Sequence, residues 1–553
     1  MDEADFSLLV EKVGNKKDIN SLYLFNLYYY YYNRGYRNLI LSELTNLGVL
    51  GFSIFLLFFL VQCVDFDGLI NYNLNESISF SKFIKFDNFW KFHPVIIVIS
   101  IVFCIYILFQ LISIIINSRK FWIIRNIYKE ELEIDNNELE TLTWNEITNK
   151  IMKHYCIPNL NSYTIALRIM TKENLIISIY DKLEHLKFNK YPLTKLLEWN
   201  FIFCFINPLI NDNREIDSNI KLNGIKYHQQ VRNRLKKIAI VNFIFMPFIL
   251  LFMVLYMILQ YGEQFYNNPK LLVNNQWTLK AYWKFRYYNE LPHLFYERLH
   301  KAGNATKEYN KQFISKTMDI IAKFLIFILG SLFILLILMP LINENLLINL
   351  NISNNRPILW YIGIIGAIIA LLKNFINNKF STDPIKMMNK MSEYIDLKEE
   401  WIENPRSKKV QNDVKKLFTH RIILILEELY CLVLTPFILW FILEKESNII
   451  CNHLINNLVN HHSINGLITK NSLFLNYNQV KESKKTESSF NNFQKNNPEW
   501  GTSSFLYNDV NQSYSYQSPG IQSQLEKKEK TQEQSRLSMI ESNDEPIEIL
   551  VKF

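Results

Sequence analysis

Charge is missing from two stretches of this chain. No Asp, Glu, Lys or Arg stands between Leu44 and Val64, and none between Phe92 and Ser118. Each run is long enough to cross a bilayer core of about 30 Å as a helix, which takes roughly 20 residues. A soluble domain has little use for apolar helices of that length without a polar face. An exclusively water-soluble protein is therefore excluded. Other absences narrow the chemistry. There is no P-loop, HExxH, GxSxG or Rossmann glycine pattern, so neither an ATP-driven pump nor a covalent enzyme is expected. The six cysteines (Cys63, Cys104, Cys156, Cys204, Cys431, Cys451) form no CxxC pair, which argues against a disulfide framework or a zinc site. The ten histidines are dispersed, and His461-His462 reads as a solvated pair in a tail. No metal or cofactor is expected. No repeat of 20–50 residues is evident. No cleavable signal peptide is expected either, because the first 40 residues are charged or tyrosine-rich.

What is present is segregated. Hydrophobic residues make up 49% of the 553, an ordinary soluble share, and mean hydropathy is −0.01. Apolar blocks alternate with long Lys/Asn-rich stretches, so large water-facing parts accompany the spans. Basic residues crowd the flanks of the apolar runs, and the net charge is +8. That placement suits anionic lipid headgroups better than nucleic acid.

Positive charge sets the topology. Lys12, Lys16, Lys17, Arg34 and Arg37 place the N-terminal region in the cytosol. Loop 65–91 then lies on the far side, carrying Asp65, Asp67, Glu76, Asp87 and the glycosylation sequon Asn75-Glu76-Ser77. Segments 44–64, 92–118, 324–343 and 357–372 are read as spans. Segment 238–262 is equally long, yet basic residues flank it on both sides: Arg232, Arg234, Lys236 and Lys237 before, Lys270, Lys280, Lys284 and Arg286 after. A crossing would put the second set outside, and would put the sparse loop 344–356, with its Asn351-Ile352-Ser353 sequon, inside. A re-entrant segment keeps the charge bias intact; Pro247 is a residue that could break it, although proline is tolerated in membrane helices where packing re-satisfies the backbone. Asn304, in Asn-Ala-Thr, is then cytosolic and bare.

Segment 417–443 carries Glu427 and Glu428 in mid-run and Pro436 near its end. A charge at the bilayer centre costs about 2.5–3.5 kcal/mol on insertion scales. The segment is read as a second re-entrant helix. Its carboxylates either form an interfacial face meeting cytosolic bases or line a polar cavity. Segment 191–211, with Lys195, Glu198 and Pro208, is either an in-plane amphipathic helix or a core helix of the soluble layer. The five tyrosines Tyr28 to Tyr32 read as an interface anchor. From about residue 475 too little apolar surface remains to offset ordering entropy, and disorder is expected.

Four blocks resemble one family, autophagy-related protein 9. They are Ser21 to Leu69, ending LVQCVDFDGL; Trp277 to Leu299, WTLKAYWKFRYYNELPHLFYERL; Ile425 to Phe441, ILEELYCLVLTPFILWF; and Asn497-Pro498-Glu499-Trp500-Gly501. They occur in family order. The resemblance implies a homotrimer with four transmembrane and two re-entrant helices per protomer, matching the count reached from charge. It also implies ATP-independent phospholipid scrambling, partnership with an autophagic lipid-transfer protein and other autophagy factors, and residence on the preautophagosomal membrane and on cytoplasmic and Golgi-derived vesicles. The charged cluster of the family's animal members falls here on Tyr266, Asn267 and Asn268, which departs from the pattern.

The expected organisation is all-α: a cytosolic N-terminal region (1–43), a first transmembrane hairpin (44–118), and a cytosolic helical region with amphipathic and re-entrant helices (119–317). A second hairpin (318–376), a further cytosolic region with the second re-entrant helix (377–474) and a mostly disordered tail (475–553) complete it. If lipids pass between leaflets, polar groups at membrane depth must shelter their headgroups. The candidates are Lys323, Lys373, Asn374, Arg421, Glu427 and Glu428. Cations would attract phosphate and carboxylates would offset them or meet amines. Lys323 and Lys373 lie near span ends, where lysine also snorkels. An ion channel or transporter and a non-scrambling membrane scaffold are the alternatives.

Overall fold

The computed structural model describes residues 20–65, 94–157, 160–267, 274–313, 316–342, 351–353, 356–373, 383–461, 466–474, 484–498 and 500, and singly 68, 84 and 376. In chain order the principal helices are α1 (Ser21–Tyr32), α2 (Tyr36–Cys63), α3 (Pro94–Asn126), α4 (Trp144–Tyr155), α5 (Ser162–Ile169), α6 (Thr171–Leu183), α7 (Lys195–Phe201), α8 (Gly224–Asn267) and α9 (Leu279–Phe285). They continue with α10 (Pro292–Lys311), α11 (Lys316–Ile342), α12 (Ile358–Leu372), α13 (Pro384–Ser392), α14 (Glu399–Glu403), α15 (Lys408–Leu417), α16 (Arg421–Phe437), α17 (Glu444–Asn456) and α18 (Lys484–Asn496). Three two-stranded antiparallel pairs join them: β1 (Asn275–Trp277) with β4 (Phe418–His420), β2 (Asn351–Ser353) with β3 (Arg356–Pro357), and β5 (Leu458–His461) with β6 (Gly466–Thr469). The protein is an all-α polytopic membrane fold.

Among the described residues five helices are long and apolar enough to cross a membrane: Tyr36–Cys63, Phe103–Glu131, Gly224–Gly262, Lys316–Leu341 and Arg421–Asn456; Ile358–Leu372 is apolar but shorter. They form three antiparallel pairs. α2 and α3 make the first hairpin, closed at its base by the Tyr36 and Ser118 hydroxyls (2.6 Å) and packed higher up through Phe58 against Phe103. α11 and α12 make the second. Gly366 sits where a Cβ would stand 3.3 Å from the Phe333 ring, so its missing side chain lets the two helices approach.

The third pair is α8 against α16–α17. Its antiparallel register is visible along its length. Arg421 lies over the Tyr261 ring at 4.6 Å, Phe243 meets Phe437 edge-on, and Arg232 and Lys236 meet Glu444. β1, soon after α8, pairs with β4, just before α16. Pro247 does not break α8, contrary to the sequence expectation: one helix of 44 residues runs through it. A proline forfeits one ladder bond, and packing against neighbouring helices re-satisfies the freed backbone. The break falls elsewhere. After Pro436 the chain takes a π turn, Ile438–Leu443, before resuming as α17.

Both ends of α8 attach to one helical layer. Tyr227, Val231 and Leu235 from its first half share a hydrophobic cluster with Phe201, Phe205, Trp283, Leu439 and Ile450. Trp283 lies beyond the far end of α8, so the chain has come back to the layer it left.

Segment 191–211 resolves as a core helix of this layer, since Leu197, Phe201, Cys204, Phe205 and Leu209 are fully buried. The tyrosine run also differs from expectation. Tyr28, Tyr30 and Tyr31 are buried in a second cluster with Tyr128, Trp144 and Ile147, and of the five only Tyr32 is exposed. Tyr28 pairs with His293 Nδ1 (2.9 Å) and Tyr128 donates to the Leu27 carbonyl (2.9 Å), so their hydroxyls are satisfied inside protein. His461 is likewise buried on β5 rather than solvated. Disorder from residue 475 is corrected over 484–498 and at Trp500. There α18 brings Phe493 onto Tyr163 and Phe474, and Trp500 stacks on Tyr163 at 5.4 Å.

Candidate functional site

A cavity of about 850 Å³ lies between α8, α16 and the helical layer. Its walls differ in character. α8 contributes Ile249, Phe252, Met253 and Tyr256, an apolar and aromatic side at membrane-segment depth. α7 contributes Lys195 and Glu198, and the turn after α9 contributes Arg286. Arg421, Ile425, Glu428 and Leu432 line it from α16; their spacing of four, three and four puts them on one helix face.

Local sequence fixes each polar group. Thr194 caps α7 by accepting the Leu197 N–H. That cap sets the first turn, and Glu428 Oε1 accepts the Lys195 N–H there (3.1 Å). The carboxylate thus meets an unsatisfied helix-start donor and a favourable dipole end. Glu198, one turn on, accepts the Trp283 indole N–H (2.5 Å). Burial pushes the Glu198 carboxyl above its ordinary range; the Trp283 hydrogen bond and the Arg286 charge pull it back, and Glu428 pushes it up. Thr278 caps α9 and so orients Trp283 and the following Arg286, whose guanidinium lies 5.3 Å from the Phe295 ring.

Three of the six lipid-path candidates converge here. Arg421, Glu427 and Glu428 all line the cavity, and Glu427 also borders a shallower hollow with Lys415 and Lys416. The two carboxylates do diverge: Glu428 turns to α7, Glu427 to the rim. Lys323 does not join them; it pairs with Asp319 one turn back on α11 (2.8 Å). Lys373 is the exposed C-cap of α12. Asn374 and the glycosylation candidate Asn75 lie outside the described residues, as do the side chains of Tyr266, Asn267 and Asn268. Asn351 lies on β2, and Asn304 sits mid-helix on α10 with the Thr306 of its sequon fully buried and bonded to Ala302. Sequence reading missed Glu173 and Arg286. Glu198 carried a signal, a lone carboxylate in a long apolar run; the other two carried none. Among the described residues no cluster of three or more His, Cys, Asp or Glu is placed to hold a metal.

A cavity with one apolar wall and one mixed-charge wall, set beside membrane helices, can hold an amphiphile. Comparison with known proteins gives the setting. The family described as Autophagy protein ATG9 matches residues 12–474. Autophagy-related protein 9 of Dictyostelium discoideum is 29% identical over 542 residues, covering 90% of this chain and 75% of that protein. The proteins of that name from Candida glabrata and Saccharomyces cerevisiae are 30% and 27% identical, each over 77% of this chain. The chain spans only about half the length of these yeast relatives, 48% and 45% respectively. In fold it is similar to a solved structure, the cryo-EM structure of Schizosaccharomyces pombe Atg9. The TM-score is 0.62 at 23% sequence identity, over 82% of this chain and 98% of that one. With the family match running from residue 12 to residue 474, the chain belongs to the Autophagy protein ATG9 family.

Proposed function

We propose that this chain scrambles phospholipids between the leaflets of autophagic membranes without ATP. The carrying observation is the two-faced cavity: Ile249, Phe252 and Met253 on one wall, Glu198, Arg286, Arg421 and Glu428 on the other. The barrier to spontaneous lipid exchange is the desolvation of a charged headgroup in hydrocarbon. A wall of fixed charges replaces water around the headgroup while the acyl chains stay against apolar surface. No bond is made or broken, so no chemical fuel is needed. The apolar flanks of α11 and α12 fit packing between protomers of a homotrimer, which the family resemblance suggests. An autophagic lipid-transfer protein would supply the lipid that scrambling redistributes, on the preautophagosomal membrane or on Golgi-derived and other cytoplasmic vesicles.

The test is leaflet exchange of fluorescent phospholipid in liposomes holding the purified chain. Exchange should be fast for the unmodified protein. Met253→Trp, which fills the apolar side, should slow it at least severalfold without altering the oligomer seen by light scattering. Exchange no faster than in empty liposomes would sink the proposal, and an unaltered rate in Met253→Trp would remove this cavity from the path.

A further inference from the structure

An aromatic and basic belt lies where α8 and α16–α17 leave the helical layer. α7 and the π turn that follows it, Ile202–Ile206, turn Leu197, Phe201, Cys204 and Phe205 into the core. Trp199 and Phe203, four residues apart, share another face of the same segment. Their rings stack at 5.4 Å. Trp199 is 59% exposed, although the inner face of its helix is fully buried. An exposed aromatic pair of this kind marks a surface that something covers.

Height along α8 says what covers it. Arg234 lies 5.6 Å from the Phe203 ring, and Lys236 lies 5.9 Å from the ring of Trp440, in the π turn after α16. Two residues of a helix rise only about 3 Å, so both aromatic groups stand at one level of α8. Two residues also turn the helix by about 200°, so they stand on different sides of it. Before this level come Arg232 and Arg234. Directly beyond it Ile240, Val241, Phe243 and Ile244 are exposed. Tryptophan with lysine and arginine, set between a charged stretch and an exposed apolar one, is the arrangement of a membrane–water interface. The anchor expected of Tyr28 to Tyr32 is built here instead.

We propose that α7 and its π turn lie in the headgroup layer of the cytosolic leaflet, with the Trp199–Phe203 face against phospholipid. One segment is then protein core on its inner side and membrane anchor on its outer side. Lys237, exposed at the same level of α8, meets lipid phosphate. Lys195 and Glu198 line the cavity from the same helix, so the charged wall of the cavity stands at headgroup depth. This seating does not rest on the scrambling reading.

Depth-dependent quenching on the full chain in phospholipid liposomes tests it. Cys104→Ser and Cys156→Ser first remove the exposed thiols. An NBD label is then attached at Trp199→Cys. Ile225→Cys is the control, since Ile225 is exposed and lies about 14 Å before Arg234 by the rise of α8. Lipid carrying a spin label just below its headgroup should quench the label at 199 severalfold more than the label at 225. Iodide, present on both sides of the membrane, should quench it severalfold less. Trp440→Cys, across α8 at the same level, should follow 199, and it reports the same depth if Trp199→Cys misfolds. Iodide quenching at 199 as strong as at 225 means that the layer stands off in water, and overturns the seating. Shielding from iodide without quenching by lipid means that a second copy of the chain covers the face, and overturns it as well.

Discussion

Arg298 is a heavily committed side chain of the layer. It forks onto Glu290 (2.6 Å), donates to the carbonyls of Phe285 and Tyr394, and lies over the Tyr287 ring at 3.9 Å. Glu290 is almost wholly buried, and Arg298 is its ion-pair partner there. Truncating one member of a buried pair strands the other, a loss of about 3–5 kcal/mol. Arg298→Ala should therefore abolish stable folding or lower the melting midpoint sharply in detergent. Arg298→Lys should recover little, because an ammonium cannot reproduce the planar fork. Neighbouring His293 gives a pH prediction. Burial, reinforced by the Arg34 charge, lowers its pKa to about 4. Between that value and about 6.5, where an unfolded histidine titrates, the unfolded chain binds the extra proton. Stability therefore falls as pH drops from 6.5 towards 4, by up to about 3 kcal/mol from this residue. Thermal melts at pH 7, 5.5 and 4.5 should show a shallower acid decline in His293→Gln. Parallel curves for the two proteins would remove His293 as the cause.

At the level of elements, what the sequence revealed depended on whether a signal was local. Uncharged runs needed only counting, so α2, α3 and α11 were legible. The return of α8 to its own side showed in charge only because basic residues flank 238–262 on both sides; its pairing with α16–α17 carried no sequence signal. Pro247 misled because a proline is judged by its own ladder bond, while the helices packed around it decide whether the segment holds. Tyr28 to Tyr32 misled because aromatic content is the same at an interface and in a core; the partners Trp144, His293 and Tyr128 come from distant sequence. At the site, the ILEEL carboxylates were visible as charges in an apolar run. Arg286 and Glu173 were not, since nothing about a surface-like Arg or Glu tells that a helix will close over it. The tail element α18 has few apolar residues, and its anchors Phe490, Phe493 and Trp500 are spaced too sparsely to suggest a helix by period. They find Tyr163 and Phe474 instead. Losing a large buried aromatic typically costs about 3–5 kcal/mol. Trp500→Ala should accordingly release α18, read as faster hydrogen exchange over 484–496 and early proteolysis there, with α2–α3 unaffected. Unchanged protection would mean that Asn145, which donates to the Asn496 carbonyl, and Ser489, which accepts the Tyr288 N–H, suffice to hold it.

For the whole molecule the decisive question is which segments share a side of the bilayer. α2–α3 and α11–α12 are each antiparallel hairpins, and the charge bias leads us to expect loops 65–91 and 344–356 on the lumenal side. α8 has the length of a span, but Val231 before its membrane segment and Trp283 after it belong to one cluster. A crossing would have to pull Trp283 from Phe201 and Glu198, and β1 from β4. Positive charge agrees, with Arg232 to Lys237 before and Lys280 to Arg286 after on the same face. Single cysteines placed in 65–91 should therefore be labelled only from the lumenal side of sealed vesicles, and cysteines at exposed positions of α10, such as Asn304, only from the cytosolic side. Glycosylation should be confined to the first region, at Asn75. Asn304 is expected on the cytosolic side, and its sequon is wound into a helix with Thr306 buried. Lumenal labelling at Asn304 would mean that α8 crosses after all. The cavity would then be bounded by a true span, and the pairing of β1 with β4 would have to be rebuilt in the membrane.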